Sequence, residues 1–471
     1  MAQHLIDHDR CALWAGMGTG KTTIAENYLD ALYLGGEDYP TLVLGPLRVA
    51  RNVWSNETLK WEHLRNLPVV PIVGNEKARL AALRHDSPVF TTNYDNLIWL
   101  IEHYGDRWPF RTIIADEARR LASHRISERV STTGKVFLAG QGTKRAGALA
   151  RISWTHVKRF IELTGTPAPN GLGDLWGQLW YLDKGRRLGR THTDFLKRWF
   201  CKGYDGYSVG PKSEYVSDEI HSAVKDICMT IDIRDYIDLA APVVNDIFVD
   251  LSPQARKLYR EMEKEMFIQI ADRQVEAFGA AAKTQKCLQI ANGAVYVDPL
   301  VDCDEHPRAK EWRLVHDEKV DALDSLVSEL GGAPMIVSYE FKSDLARLLK
   351  AFPKGRVLKT HRDEEDFKTG RLPLLFMHPQ SGGYGLDGFQ KVCNNICFFG
   401  HNWSLENYQQ IIERIGPTRQ YQENPENPLP CNIHRIIARQ TVDELVIERQ
   451  ETKRETQDIL LDACKRWKKG G

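Results

Sequence analysis

The sequence predicts an α/β fold built as two similar lobes with a cleft between them, and three observations carry that prediction. A strand-like run, Cys11 to Trp14, leads into Ala15-Gly16-Met17-Gly18-Thr19-Gly20-Lys21-Thr22, after which Thr23 to Tyr33 reads as a helix. Short β-branched or apolar runs then alternate with helical patterns, the signature of a parallel sheet with helical crossovers. A second alternation of the same kind begins at Met335.

In the first stretch the strand-like runs are 41–45, 69–73, 89–92, 112–116 and 160–164, with helical patterns over 49–61 and 76–83 between them. The span 254–292 has helical composition with few breakers and reads as a helical connector or protrusion. The second stretch has strand-like runs at 335–339, 374–377, 396–399 and 432–437, and a charged helical tail over 441–469. The expected division is residues 1–240 for the first lobe, 241–315 for the connector and 316–471 for the second lobe with its terminal helix.

Composition narrows the class. With 471 residues, 42% hydrophobic and 27% charged, the chain has enough apolar side chains for sizeable cores. Lys plus Arg equals Asp plus Glu at 63 each, so any nucleic-acid surface must be a local groove. The polar opening around His4, Asp7, His8, Asp9 and Arg10 gives no signal-peptide core, and no run is apolar enough to span a membrane. The nine scattered cysteines form no metal-type spacing and read as reduced, mostly buried thiols of a cytoplasmic protein. The fifteen histidines show no ligand spacing either.

The glycine loop carries the first chemical signal. Strand, glycine loop, then Lys-Thr opening a helix is the context in which backbone N–H groups of Gly16, Gly18, Thr19, Gly20, Lys21, Thr22 and Thr23 cradle β- and γ-phosphates. Lys21 adds a point charge, and the Thr22 hydroxyl is placed to hold Mg²⁺. An incidental glycine-rich turn is the alternative, and Ala15 stands where a glycine is usual. The run Thr112-Ile113-Ile114-Ala115-Asp116-Glu117 ends an apolar strand in two acids. Alone, they read equally well as caps of a following helix starting near Ala118. Beside a phosphate loop, Asp116 is assigned to the metal and Glu117 to the general base.

These residues resemble motifs I and II of superfamily 2 helicases. Leu163-Thr164-Gly165-Thr166-Pro167 resembles motif III of the Swi/Snf-like branch. Leu44-Gly45-Pro46-Leu47-Arg48 followed by Trp54, Glu57 and Trp61 matches a further pattern of that branch, and Thr92-Asn93-Tyr94-Asp95 is similar to motif Ib. Cys287 to Asn292 is similar to the helical segment before the second lobe. Ser381 to Gln390 resembles motif V, Tyr408 to Gln420 motif VI, and Thr441-Val442-Asp443-Glu444 the start of a C-terminal brace helix. The compact form resembles bacteriophage-encoded members. The resemblance implies two RecA-like lobes, ATP and Mg²⁺ as cofactors, and a motor that tracks DNA, with duplex favoured and no sequence preference. It implies host cytoplasm as the location and replication or recombination proteins as candidate partners. A strand-separating helicase and an ATP-binding DNA module with little turnover are the rivals. No wedge or pin that would favour the former is recognisable.

Three departures from the family pattern stand out. Arg119 follows Asp-Glu-Ala in motif II. Motif V reads Gly385-Leu386-Asp387-Gly388-Phe389-Gln390, one residue longer than usual and with Asp387 for asparagine, which bears on its nucleotide contacts. Pro417 replaces the second arginine of motif VI, so Gly416-Pro417 ends the helix and Arg419 leaves on a loop. Arg414 and Arg419 are expected to cross the cleft to the γ-phosphate, with solvated helix-end arginines as the alternative. Gln410, four before Arg414, shares its face. Thr164, Thr166 and Gln410 are the implied coupling residues, though Thr164 and Thr166 also fit ordinary turn chemistry. Arg48, Asn93, Lys144 and Arg145, on loops after strand ends, are the candidate DNA contacts. Trp176 and Trp180 read as core, and Lys465, Arg466, Lys468 and Lys469 as a solvated helix end. Gln3 lies close before Lys21 for an adenine contact, so the usual helix ahead of the loop looks missing.

Overall fold

A computed structural model describes residues 1–16, 18–131, 136–168, 171–202, 209–271, 277–297, 311–382 and 386–453. The basic residues at 465–469, Gly385 and Pro169 lie outside them. The chain divides into two compact units, Met1–Ile237 and Asp238–Thr452.

The first unit is built on a seven-stranded parallel sheet in the spatial order Cys228–Ile231, Arg10–Ala15, Arg159–Thr164, Thr112–Asp116, Thr41–Gly45, Val89–Asn93, Val69–Pro71. Thr41–Gly45, Val89–Asn93 and Thr112–Asp116 are buried along their whole length. A parallel sheet covered by helices on both faces requires such continuous apolar runs. Trp176 and Trp180 are buried in the core of this unit with Tyr181, Phe160 and Phe195, as their helical spacing anticipated. The segment expected as one helix over 49–61 is a π-helical turn, Val49–Val53, running into the helix Trp54–Lys60. A short helix, Ala2–Asp7, does precede the first strand, and exposed Gln3 donates within it to Asp7 (2.8 Å).

Between Asp116-Glu117 and the helix Lys144–Ser153 the chain makes an antiparallel ribbon, Arg125–Val130 paired with Val136–Gln141, which forms a sheet of its own. The sequence does not announce it. Its strands are short, and only one is mostly apolar. The signal was a polar, Gly-containing turn between two six-residue runs. At its neck the Ser123 and Thr143 hydroxyls lie 3.0 Å apart. Gly142 there has φ +114°, and a Cβ would fall 2.0 Å from the Ser123 carbonyl oxygen, so only glycine fits.

The second unit holds a six-stranded parallel sheet in the order Val243–Val249, Asn432–Ala438, Asn395–Phe398, Met335–Ser338, Leu374–Met377, Arg356–Val357. Two parallel sheets flanked by helices make two RecA-like lobes. The span expected as a connector forms two helices, Pro253–Ala271 and Ala277–Asn292. Ala255 and Tyr259 on the first and Cys287, Leu288, Ile290 and Ala291 on the second lie in the core of this unit. Residues 442–452 are helical, and the Tyr259 hydroxyl accepts the Val442 N–H (2.7 Å) that this helix start leaves over.

Buried charge ties the second unit together. Lys319, fully buried, donates to the Asn292 side chain (2.8 Å) and the Phe399 carbonyl (3.2 Å), and pairs with buried Asp443 (2.6 Å). Arg347 joins Asp317 and the His316 carbonyl, and Arg435 forks onto both oxygens of Asp246. All seven cysteines among the described residues are free thiols, and six of them are buried. No described helix is long and apolar enough to cross a membrane.

Candidate functional site

The phosphate-type loop leaves the C-terminal end of Arg10–Ala15. Gly18 (φ +75°) and Gly20 (φ +78°) take the left-handed conformation that bends the chain back into the helix Lys21–Leu34. The Lys21 ammonium donates to the carbonyls of Ala15 (2.6 Å) and Gly16 (2.8 Å). The Thr19 hydroxyl donates to the Gly16 carbonyl (2.7 Å). Thr22 and Thr23 fill the first turn, where helix N–H groups lack intrahelical partners. Thr23 donates to Glu57 (2.9 Å).

Asp116 ends the strand lying one strand away from Arg10–Ala15, with Arg159–Thr164 between them. Its carboxylate is buried and accepts from the Trp54 indole N–H (3.0 Å), and its carbonyl accepts from the Tyr94 hydroxyl (2.9 Å). Burial and the adjacent Glu117 push the Asp116 carboxyl up to about 6. Glu117 adopts φ +58°, a left-handed conformation costly for a side-chain-bearing residue, and its Oε2 is buried without a hydrogen-bond partner. The helix expected from Ala118 is a single 3₁₀ turn, Ala118–Leu121. A third acid belongs to this neighbourhood. Glu26, one turn into the Lys21 helix, is fully buried with both oxygens unpartnered; burial and Glu57 push it up to about 9.

The sequence matched Trp54 and Glu57 to a family pattern but gave them no site role. The helix Trp54–Lys60 bonds through one to Asp116 and through the other to Thr23, so it touches both halves of the loop-and-acid site. Their three-residue spacing was legible as one helical face; the partners were not. Glu26 gave no signal beyond being one acid in a helix.

The strand between loop and acids ends in Thr164, which is buried and whose hydroxyl accepts the Thr166 N–H (3.1 Å). The Thr166 hydroxyl is buried without a partner. Of the candidate DNA contacts, Asn93 ends a sheet strand and is buried, and Arg48 is half-buried. Lys144 and Arg145 do not sit on a loop. They open the helix Lys144–Ser153 because Thr143 adopts the extended conformation of a residue preceding a helix. Lys144 is exposed, while Arg145 pairs with Asp95 (2.7 Å).

In the second unit the structure brings the motif V and VI residues together. Arg414, buried, donates to the Gln410 carbonyl (3.0 Å) and the Leu386 carbonyl (2.8 Å). Arg419 pairs with Asp387 (3.1 Å), whose carboxylate also accepts the Gly388 N–H (2.8 Å). Gln410 is buried and donates to Glu406 (2.8 Å). Arg419 does not leave on a loop: Pro417 opens a new helix, Pro417–Glu423. A proline lacks only an N–H that the first turn leaves unbonded anyway, so Gly416-Pro417 ends one helix and starts the next. Two departures thereby become complementary, since the carboxylate of Asp387 is the partner of the displaced Arg419.

The first-unit residues fit a magnesium-bound nucleoside triphosphate. The orphaned Glu117 oxygen lies beside the raised Asp116, a carboxylate pair that a cation would satisfy, and the left-handed glycines leave the helix start open to phosphate. A phosphate loop and an acid pair at the C-terminal edge of one parallel sheet define a P-loop nucleotide hydrolase.

Sequence similarity to known proteins identifies the family. Residues 6–138 match the SNF2-related domain. The chain is 48% identical over 470 residues to protein p41 of Acyrthosiphon pisum secondary endosymbiont phage 1, covering 98% of this chain and 96% of that one. It is 22% identical over 486 residues to the human SWI/SNF-related matrix-associated actin-dependent regulator of chromatin subfamily A member 1, covering 94% of this chain and 41% of that one. Among solved structures, the Sulfolobus solfataricus SWI2/SNF2 ATPase core in complex with dsDNA aligns with 98% of this chain and 91% of its own at 18% identity and a TM-score of 0.41. The chain belongs to the Swi/Snf branch of the superfamily 2 helicase-like ATPases, in a compact form shared with a bacteriophage relative.

Proposed function

We propose that this chain is a DNA-stimulated ATPase that moves along duplex DNA without sequence preference. The observation that carries the reading is the convergence of Lys21, Asp116 and Glu117 on the C-terminal edge of one sheet, with carboxylate oxygens left without partners. Gly16, Gly18, Thr19 and Gly20 contribute backbone to the phosphates, and Lys21 contributes charge. Thr22 and Asp116 would hold Mg²⁺, which supplies charge neutralisation at the phosphates. Glu117 takes the proton of the attacking water. Thr23 holds Glu57, fixing the helix that in turn orients Asp116 through Trp54.

Arg414 and Arg419 are assigned to the same reaction. Arg414 sets the motif V backbone through Leu386, and Arg419 exchanges Asp387 for a phosphate oxygen. Gly385 and Asp387 are assigned to nucleotide contact on the resemblance of their motif alone. Thr164, Thr166 and Gln410 relay the nucleotide state, and Arg48, Asn93 and Lys144 contact the DNA backbone. Membership in a family whose relatives include chromatin regulators supports DNA as the track.

The test is the ATPase rate with duplex DNA, single-stranded DNA or RNA, with Lys21→Ala and Glu117→Gln as controls. Stimulation by duplex above the other two is the expected result. Equal rates with and without nucleic acid would remove the motor reading and leave a DNA-independent ATPase. A triplex-displacement assay beside a fork-unwinding assay then separates duplex tracking from strand separation.

A further inference from the structure

We propose that the ribbon Arg125–Val130/Val136–Gln141 is a phosphate-gripping arm for duplex DNA, acting through Arg125 and Arg129; this rests on the DNA reading above. Charge is the first argument. From Arg119 to Arg145 the chain carries seven lysines and arginines and one acid, Glu128, although the whole chain balances 63 against 63. Such a local excess is what sequence-neutral backbone binding needs in a protein of zero net charge.

Orientation is the second. Successive strand residues point to opposite faces. Ile126 packs against the core of the first unit, so Arg125, Ser127 and Arg129 line the other face. Both arginines are exposed, and no hydrogen bond or ion pair holds either among the described residues. Four residues apart on one strand, they stand ~13 Å from each other, far enough to meet separate phosphates. The opposing residues Gln141 and Ala139, across from Arg125 and Ser127, add no acid to that face.

Stiffness is the third. The neck is closed by Ser123–Thr143 and by Gly142 against the Ser123 carbonyl, and the helix His192–Trp199 backs the first strand. A ribbon fixed at its base presents its arginines at low ordering cost, which a flexible loop cannot do. Lys144, exposed just past the neck, continues the basic run onto the following helix. Glu128 lies on the opposite face, where it does not oppose a phosphate.

The experiment compares the parent with Arg125→Ala/Arg129→Ala and Arg125→Lys/Arg129→Lys double variants by fluorescence anisotropy on a labelled blunt duplex. Each titration is repeated between about 50 and 200 mM salt. Two lost phosphate contacts should make the slope of log K against log[salt] shallower by about 1.8 in the alanine variant, and the lysine variant should keep the parent slope. An alanine variant with the parent's affinity and slope overturns the arm while leaving the DNA reading intact. A parent that neither binds duplex nor gains ATPase rate from it overturns both. Thermal melting at the parent's temperature verifies that each exposed substitution leaves the fold in place, and the lysine variant gives a second, charge-preserving comparison.

Discussion

The two units treat buried charge in opposite ways. In the second, Lys319 pairs with Asp443, and Asp443, Asp344 and Glu406 each keep one carboxylate oxygen bonded. In the first, Glu26 and Glu162 have no bonded oxygen at all, and Glu117 buries an orphan beside Asp116. Burial of an unpaired carboxylate is costly, so proteins either neutralise it or supply a cation. The second unit has its cations in sequence: Lys319, Arg347 and Arg435. Beside Lys21 the first unit keeps Asp116 and the orphaned Glu117 oxygen, a pair that a metal ion would answer. Paired charge there specifies a fold; here burial pushes Glu26 and Glu162 towards the protonated form, and the open Glu117 oxygen beside Asp116 marks a site.

The sharpest way to break that contrast is Arg419→Ala. Its partner Asp387 is half exposed, so the pair is worth only about 0–1 kcal/mol to folding. An arginine acting on a transferring phosphoryl group is worth at least about 10³-fold in rate. Turnover should fall by that factor with the melting temperature unchanged. Full activity would return Arg419 to an ordinary surface ion pair.

Asp443→Ala tests the opposite claim, that the second unit's buried charges are structural. It leaves the Lys319 ammonium fully buried without its carboxylate, and the expected loss is about 3–5 kcal/mol in chemical denaturation. A Lys319→Met/Asp443→Leu double variant should recover most of that loss, because two apolar side chains cost less than one unpaired charge. A double variant as unstable as the single one would mean that the pair does more than compensate itself.

Glu26→Gln probes the first unit by pH. Burial and Glu57 raise this carboxyl from 4.5 to about 9. Between those values the folded state holds a proton that the unfolded chain has released. The contribution of Glu26 to stability is therefore complete below about pH 4.5 and erodes as pH rises towards 9. Glutamine keeps the shape and removes the titration. Parent and variant should melt alike near pH 4.5, and the variant should be the more stable by roughly 1–3 kcal/mol at pH 8. Parallel pH profiles would show that Glu26 is compensated in the fold.

Much of this arrangement was legible before any coordinates. The phosphate loop, the acid pair and most sheet strands declare themselves because parallel strands buried on both faces need unbroken apolar runs, and because a glycine loop between strand and helix has few other uses. The pairing of Asp387 with Arg419 was not legible, since each looked like a defect until the other was beside it. The ribbon at 125–141 was missed because its first strand, Arg125–Val130, is mostly polar and carries no regular apolar stripe. Glu26 was invisible for a general reason: sequence gives the identity of a carboxylate and the fold alone decides whether anything answers it.

The finest test of the first unit concerns a neutral donor. Trp54 gives Asp116 a hydrogen bond without adding charge, so it orients the carboxylate and does not neutralise it. Trp54→Phe keeps a buried aromatic ring but removes the indole N–H together with the ring atoms that carry it. Loss of a partner that orients a metal-binding carboxylate costs on the order of 10-fold in metal affinity. The Mg²⁺ concentration for half-maximal ATPase should rise by about that factor while turnover at saturating Mg²⁺ changes little. The same shift should appear without hydrolysis, in the Mg²⁺ dependence of binding a fluorescent ATP analogue. An unchanged Mg²⁺ requirement in both assays would mean that the strand alone holds Asp116 in place, and the helix Trp54–Lys60 would then reach the site through Glu57 and Thr23 only.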